Sequence, residues 1–157
     1  MKYKDQHTII LDGIDKIILN NLSDNARQPI AKIAKIVGVS PTAIHQRIQK
    51  LEESGLITGS RMEFNPNVIG YSTIAFIGIY LDKSSSYANV ISSIKNIPEV
   101  IEAHYTTGNY AIFAKVLCKD NNHLMSVLNG SIQSIKGIVR TETIISLEQK
   151  INRQLKF

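Results

Sequence analysis

Tryptophan is absent from this 157-residue chain, cysteine occurs once and proline four times. The lone Cys118 excludes an internal disulfide, and with it the small scaffolds that depend on one. A reducing compartment is the simple reading. Nine glycines and four prolines are too few for a collagen-like or low-complexity chain. A composition 43% hydrophobic and 20% charged excludes a largely disordered one. The longest apolar run, Ile74–Leu81, falls far short of the roughly 20 residues a membrane helix needs. Met1–His7 leads into only Thr8–Leu11 before Asp12, which is no secretory core. A cytoplasmic location is expected.

Acidic residues are missing from one stretch. The net charge is +5. Between Asn25 and Leu51 stand Arg27, Lys32, Lys35, Arg47 and Lys50, with no Asp or Glu; Asp12, Asp15 and Asp24 precede the stretch and Glu52 and Glu53 follow it. A one-signed segment inside a mixed chain suggests a surface that meets an anion, nucleic acid first.

The pattern divides the chain into residues 1–66 and 67–157. In the first part the periodicity is helical. Asp12 suits a cap, with Asp15 in the capping-box position. Ile14, Ile17, Ile18 and Leu22 recur on one helix face. After a polar break at Asn25–Gln28, Pro29 suits a first helical position, and Ile30, Ile33, Ala34 and Val37 form the next face. Gly38 suits the left-handed end of that helix. Ser40 and Pro41 then open a third helix, with Ile44, Ile48 and Leu51 inward and Gly55 as its stop. Ala34, Val39, Ile44 and Ile48 are the contacts that would hold two helices across a Gly-Val-Ser turn, which describes a helix-turn-helix. Leu56–Phe64 alternates weakly and suggests a short strand or wing.

The second part reads strand, helix, strand, strand, helix, strand. Tyr71–Leu81 and Tyr110–Cys118 are apolar runs. Val100–Thr107 and Val139–Leu147 are more polar. Ser86 suits the cap of a helix carrying Tyr87, Val90, Ile91, Ile94 and Ile97; Asn121 or Asn122 suits the cap of one carrying Leu124, Leu128, Ile132 and Ile135. This βαββαβ order is ferredoxin-like. The first and third strands are expected to be central, parallel and buried, and the other two to be edges. The fold class is α+β: a winged helix-turn-helix followed by a ferredoxin-like domain.

At this point the chain resembles the Lrp/AsnC family, the leucine-responsive or feast/famine transcription regulators. The resemblance rests on Leu11-Asp12 with Asp15, Asn25-Ala26-Arg27, Ile33-Ala34, Gly38-Val39-Ser40, Arg47, Leu51-Glu52 and Gly55-Leu56-Ile57. It continues through Gly70, Val100, Gly108 with Tyr110, Gly137-Ile138, and Arg140-Thr141 with Thr143. One departure is Ala111, where many members have Asp.

The third helix is the expected recognition helix, with its N-terminal end, Ser40 and Pro41, toward the major groove. Thr42, His45, Gln46 and Gln49 face outward as base readers; glutamine pairs bidentately with adenine and threonine touches a thymine methyl. Arg27, Lys32, Lys35, Arg47 and Lys50 suit phosphates. The apolar central strands need cover on both faces, and one layer of helices covers only one, so a two-fold dimer is expected. The resemblance implies that dimer, and often tetramers or octamers.

The resemblance also implies an amino-acid-type effector at the hairpin Thr106, Gly108, Asn109, Tyr110 and Ala111, with Thr141 and Thr143 nearby. Exposed N–H groups in a turn can hold a carboxylate. With Ala111 in place of Asp, the α-ammonium needs another acceptor such as Asn109 or a carbonyl, or the effector is not a simple amino acid, or there is none.

No metal and no cofactor are expected, because His7, His45, His104 and His123 lack metal-ligand spacing. Cys118 in an apolar strand reads as an inert thiol, and Ser84–Ser86 lacks a phosphate-loop framework. No enzymatic activity is expected. The alternative to a DNA-binding regulator is a winged-helix RNA-binding or structural protein without effector response.

Overall fold

The computed structural model of the chain describes residues 8–157, so the reading of Met1–His7, including His7, lies outside the described residues. The chain forms two compact units. One runs to Glu63 and takes in Asn152–Phe157; the other is Phe64–Ile151. The tail from residue 152, grouped by sequence with the second part, thus packs with the first. Its Phe157 N–H donates to Asn20 Oδ1 at 3.0 Å, and Asn20 Nδ2 donates to the Phe157 carbonyl at 2.9 Å.

The first unit holds α1 (Gly13–Asp24), α2 (Ile30–Val37) and α3 (Pro41–Glu53). Asp12 Oδ1 accepts from the Asp15 N–H at 2.8 Å and Asp15 Oδ2 accepts from the Asp12 N–H, completing the capping box. α2 ends at Gly38 with φ +78°, a left-handed residue that makes the sharp turn into α3. The Ser40 hydroxyl accepts from the Ala43 N–H, and Pro41 fills the first turn. Ile18, Leu19, Ile33, Ala34, Ile44 and Leu51 form the core, with Ile30, Val37, Val39 and Ile48 packed around it.

Three details differ from the sequence reading. Ile17 is exposed and Leu19 points inward instead, so the buried face of α1 is rotated by part of a turn. Pro29 is the residue before α2 rather than its first. Leu56–Phe64 forms no strand; among the described residues of this unit there is no second strand to pair with, and the segment runs without a ladder.

The second unit is a four-stranded sheet with β1 (Thr73–Leu81), β2 (Val100–Tyr105), β3 (Ile112–Cys118) and β4 (Ile138–Ile145), in the order β2-β3-β1-β4. β2 and β4 are the edges, as expected. β1 and β3 are central but antiparallel, not parallel. The reason is connectivity: α4 (Tyr87–Ile94) carries the chain back so that β2 runs with β1 one place away. The turn after β2 then sends β3 in reverse through the gap.

The ladders also end sooner than the apolar runs. β2 stops at Tyr105 and β3 begins at Ile112, leaving a longer hairpin between them, and β4 spans Ile138–Ile145. Ser86 does not cap α4, because its hydroxyl donates to Asp82. Asp120, not Asn121 or Asn122, caps α5 (Asn121–Ser126), accepting from the His123 N–H at 2.8 Å. α5 runs on into a π-helical turn, Val127–Ile132, in which the Gln133 N–H donates to the Leu128 carbonyl five residues back. The wider turn stacks Val127 and Ile132 on one side, and both are buried.

The two helical segments cover one sheet face only. There Ala75, Ile77, Ile79, Ile112, Ala114 and Val116 are buried with Val90, Ile94, Leu124 and Ile132. On the other face Ile74, Phe76, Phe113 and Leu117 are half-buried and Ile144 is exposed. The central strands are therefore not buried on both sides; β3 alternates residue by residue.

Candidate nucleic-acid interface and effector hairpin

On α3, burial of Ile44, Ile48 and Leu51 turns Thr42, His45, Gln46 and Gln49 to solvent. Gln49 Nε2 donates to Glu53 Oε1 at 2.9 Å, one helical turn on. Thr42, His45 and Gln46 make no side-chain hydrogen bond among the described residues. Lys32, Lys35 and Lys50 are exposed, and none has a carboxylate within 4.0 Å among the described residues. Arg27 is exposed too; its backbone is held by Asn25 Oδ1 at 2.9 Å and its guanidinium lies 3.6 Å from the Met62 sulfur.

Arg47, expected to meet phosphate, is ion-paired within the chain. Its Nη1 donates to Asp12 Oδ2 at 2.6 Å and to Asp15 Oδ1 at 2.8 Å. The Asp15 N–H and the Arg47 guanidinium hold the Asp12 carboxyl below its ordinary value, and the two carboxylates raise Arg47. The partners lie more than thirty residues apart in sequence, so spacing along α3 gave no sign of them.

In the second unit the hairpin is pinned at its base. Thr106 Oγ1 donates to the Tyr110 carbonyl at 2.6 Å, and the Ala111 N–H donates to the Ile79 carbonyl at 2.9 Å. At the tip Thr107, Gly108 and Asn109 are exposed, and their N–H groups reach no acceptor among the described residues. The space beside Gly108 is open, so packing does not require glycine there.

Tyr110 lies over Gly78 of β1. A Cβ at Gly78 would sit 2.4 Å from the ring, so only glycine permits this approach. The Tyr110 hydroxyl donates to Glu142 Oε2 at 2.7 Å and the Tyr80 hydroxyl to Glu142 Oε1 at 3.0 Å. Arg140 also pairs with Glu142 and lies 4.2 Å from the Tyr80 ring centre. The Tyr110 and Tyr80 hydroxyls, with Arg140, hold the Glu142 carboxyl below its ordinary range; Glu142 and partial burial push the Tyr110 hydroxyl up.

The hairpin residues Thr106, Gly108, Asn109, Tyr110 and Ala111 are thus contiguous, but Thr141 and Thr143 are not brought to Tyr110. They pair with Ile79 and Ile77 and share the helix-covered face, where Thr141 Oγ1 accepts from Gln133 at 2.8 Å. Tyr80, Arg140 and Glu142, which the sequence reading left out of the site, are on the Tyr110 side. The signal was present in part: alternation along β4 sets Arg140 and Glu142 opposite to Thr141 and Thr143.

Cys118 is wholly buried, and burial, with Glu99 and Asp120, pushes its thiol up, away from nucleophilic use. No helix among the described residues is long and apolar enough to cross a membrane.

Comparison with known proteins matches both units. The winged helix-turn-helix DNA-binding family model covers residues 11–58, and the Lrp/AsnC ligand binding domain covers residues 74–155. The chain is 42% identical over 147 residues to the regulatory protein AsnC of Escherichia coli, spanning 94% of this chain and 97% of that one. It is 37% identical over 139 residues to the HTH-type transcriptional regulator FL11 of Pyrococcus furiosus, spanning 88% and 91%. The solved structure of E. coli AsnC superposes with a TM-score of 0.89 over 94% of this chain and 99% of that one. A feast or famine regulatory protein from M. tuberculosis, complexed with L-methionine, superposes at 0.85 with 25% identity, over 94% and 99% of the two chains. With both units matched in the same order along nearly its whole length, the chain belongs to the Lrp/AsnC family of DNA-binding transcriptional regulators.

Proposed function

We propose that this chain works as a two-fold homodimer that reads a roughly palindromic duplex and answers to an amino-acid effector. The observation that carries the DNA contact is the surface of α2 and α3. Lys32, Lys35 and Lys50 stand exposed without carboxylate partners among the described residues, beside the outward Thr42, His45 and Gln46. Arg27, Lys32, Lys35 and Lys50 take phosphates, which position the protein; Thr42, His45, Gln46 and Gln49 take base edges, which specify the site. Ser40 and Pro41 set the N-terminal end of α3 at the groove, with half-sites about one helical turn apart, or a multiple.

Dimerisation is supported by the sheet face that no helix of its unit covers. Ile74, Phe76, Phe113, Leu117 and Ile144 lie there, and a second copy stacked face to face would remove them from water. With four phosphate contacts per subunit, about eight in the dimer, log K against log salt falls with a slope near −7.

The effector reading is supported by the unengaged N–H groups at Thr107, Gly108 and Asn109, which suit a carboxylate. The M. tuberculosis relative in complex with L-methionine points to the same ligand class. Ala111 supplies no anion and Glu142 is taken up by Tyr110, Tyr80 and Arg140, which leaves Asn109 or a carbonyl for the ammonium. The test combines selection of duplex DNA from a random pool, light scattering at micromolar concentration, and calorimetry with each of the twenty amino acids. A selected duplex, a dimer and heat with one or more amino acids are expected. A monomer overturns the assembly; no heat together with unchanged DNA affinity removes the effector.

A further inference from the structure

We infer that Arg47 is a positioning residue for DNA recognition, tying α3 to the capped end of α1, and is not a phosphate contact. This rests on the reading of α3 as the helix that meets DNA.

Among the described residues, Arg47 is the only cation of the acid-free stretch that has a carboxylate partner, and it has two. Its side chain is 33% exposed and that of Asp15 only 16%. On α3 it lies three residues past Ile44 and four before Leu51, beside the core face rather than among Thr42, His45 and Gln46. Two carboxylates around one guanidinium leave the cluster with an excess negative charge. A phosphate brought to Arg47 would meet both acids, and repulsion would cancel much of the attraction.

Its partners are the two residues that cap α1 reciprocally, so the guanidinium is anchored to a helix end that is itself fixed. Between α1 and α3 lies a groove of about 480 Å³ lined in part by Ile9, Asp15, Ala43, Gln46 and Lys50. Arg47 itself lines this groove, and its bonds to Asp12 and Asp15 bridge α3 to the start of α1 beside the shared core. Gln46, the residue next to Arg47 and one of the outward set, also lines this groove, so a shift of α3 at Arg47 would carry Gln46 with it.

The experiment is DNA binding by the full chain across a range of salt. One probe is a duplex selected from a random pool by the unaltered protein and the other is its scrambled counterpart. Arg47→Gln is expected to weaken the selected duplex about tenfold, a loss equivalent to ~1.4 kcal/mol. The scrambled duplex should weaken much less and the salt slope should not change. Arg47→Lys should restore part of the loss. Asp12→Asn keeps the cap, because Asn and Asp cap equally well, and removes the charge; it should weaken selectivity in the same direction and add little on top of Arg47→Gln.

A slope shallower by about 1.8, one lost contact of about 0.9 in each of two subunits, overturns the inference and makes Arg47 a phosphate ligand. Unchanged binding of both duplexes by Arg47→Gln overturns it as well. Should Arg47→Gln lack helical circular dichroism, Asp12→Asn decides alone: reduced selectivity upholds the inference and wild-type selectivity overturns it. If the unaltered protein selects no duplex, the DNA-binding reading falls, and this one with it.

Discussion

In the helical unit the residues that turn inward meet one another: Ile18 and Leu19 of α1, Ile33 and Ala34 of α2, Ile44 and Leu51 of α3. The outward face of α3 is polar and complete as it stands. In the sheet unit the same strands send alternate residues to two different environments. Ile77 and Ile79 are wholly buried under the helices, while Phe76 between β3 and β4 stays half-exposed beside Phe113, with ring centres 5.8 Å apart. One unit closes its core with its own three helices. The other has two apolar faces and one layer of helices. Patterning thus separates a part whose exposed α3 face is polar from a part that leaves apolar residues on an uncovered sheet face.

Neighbours on β1 give the sharpest way to break that comparison. Ile77→Ala is expected to cost about 2–5 kcal/mol of folding stability, because the helix-covered face cannot collapse around the void. Phe76→Asp should leave the fold intact and abolish the dimer, read by circular dichroism and light scattering together. Equal unfolding by both, or a surviving Phe76→Asp dimer, would erase the distinction between the faces.

Gly78→Ala comes next. The added methyl meets the Tyr110 ring at 2.4 Å, and overpacking of this kind costs roughly 1–3 kcal/mol. The displaced ring should also lose its bond to Glu142. An unshifted melting curve would mean that Tyr110 moves aside freely and that the aromatic row on the open face is loose.

The helical unit predicts a smaller effect on a different observable. Lys32→Ala should leave stability alone and make the salt slope of DNA binding shallower by about 1.8 per dimer. An unchanged slope would take Lys32 out of the phosphate-contacting set.

The smallest effect is in acid. Glu142 and Asp12 hold folded values below their ordinary 4.5 and 3.8. Groups lowered in this way stabilise fully above the ordinary value and lose that contribution as pH falls through the folded one. Melting temperature followed downward in pH from 4.5 should therefore drop less for Glu142→Gln than for the unaltered protein. Parallel curves for the two would show that the Tyr110–Glu142 cluster adds nothing.

What could be read from the sequence was local. The Asp12–Asp15 box, the Gly38 turn and the Ser40-Pro41 start each lie within a few residues, and all three form as the spacing required. What escaped was long-range. The direction of β3 depends on where α4 returns the chain. The partners of Arg47 lie on another helix, and the partner of Tyr110 lies on β4, 32 residues away. The resemblance placed Thr141 and Thr143 near the hairpin, but the pleat sets them on the face opposite to Tyr110. The outward placement of Thr42, His45, Gln46 and Gln49 was legible because a helix displays its own outward residues. The side chains grouped around Tyr110 were not, because strand register decides which side chains share a face.

The π-helical turn at Val127–Ile132 carries an evolutionary reading. It holds one residue more than an α-helix needs to bring Val127 and Ile132 to the same side, so it behaves as a single-codon insertion absorbed without disturbing either flank. Losing Gly130 would return the segment to ordinary helical phase with Leu124, Val127 and the isoleucine still facing the sheet. A chain one residue shorter at this point should therefore keep the same buried contacts with a plain helix.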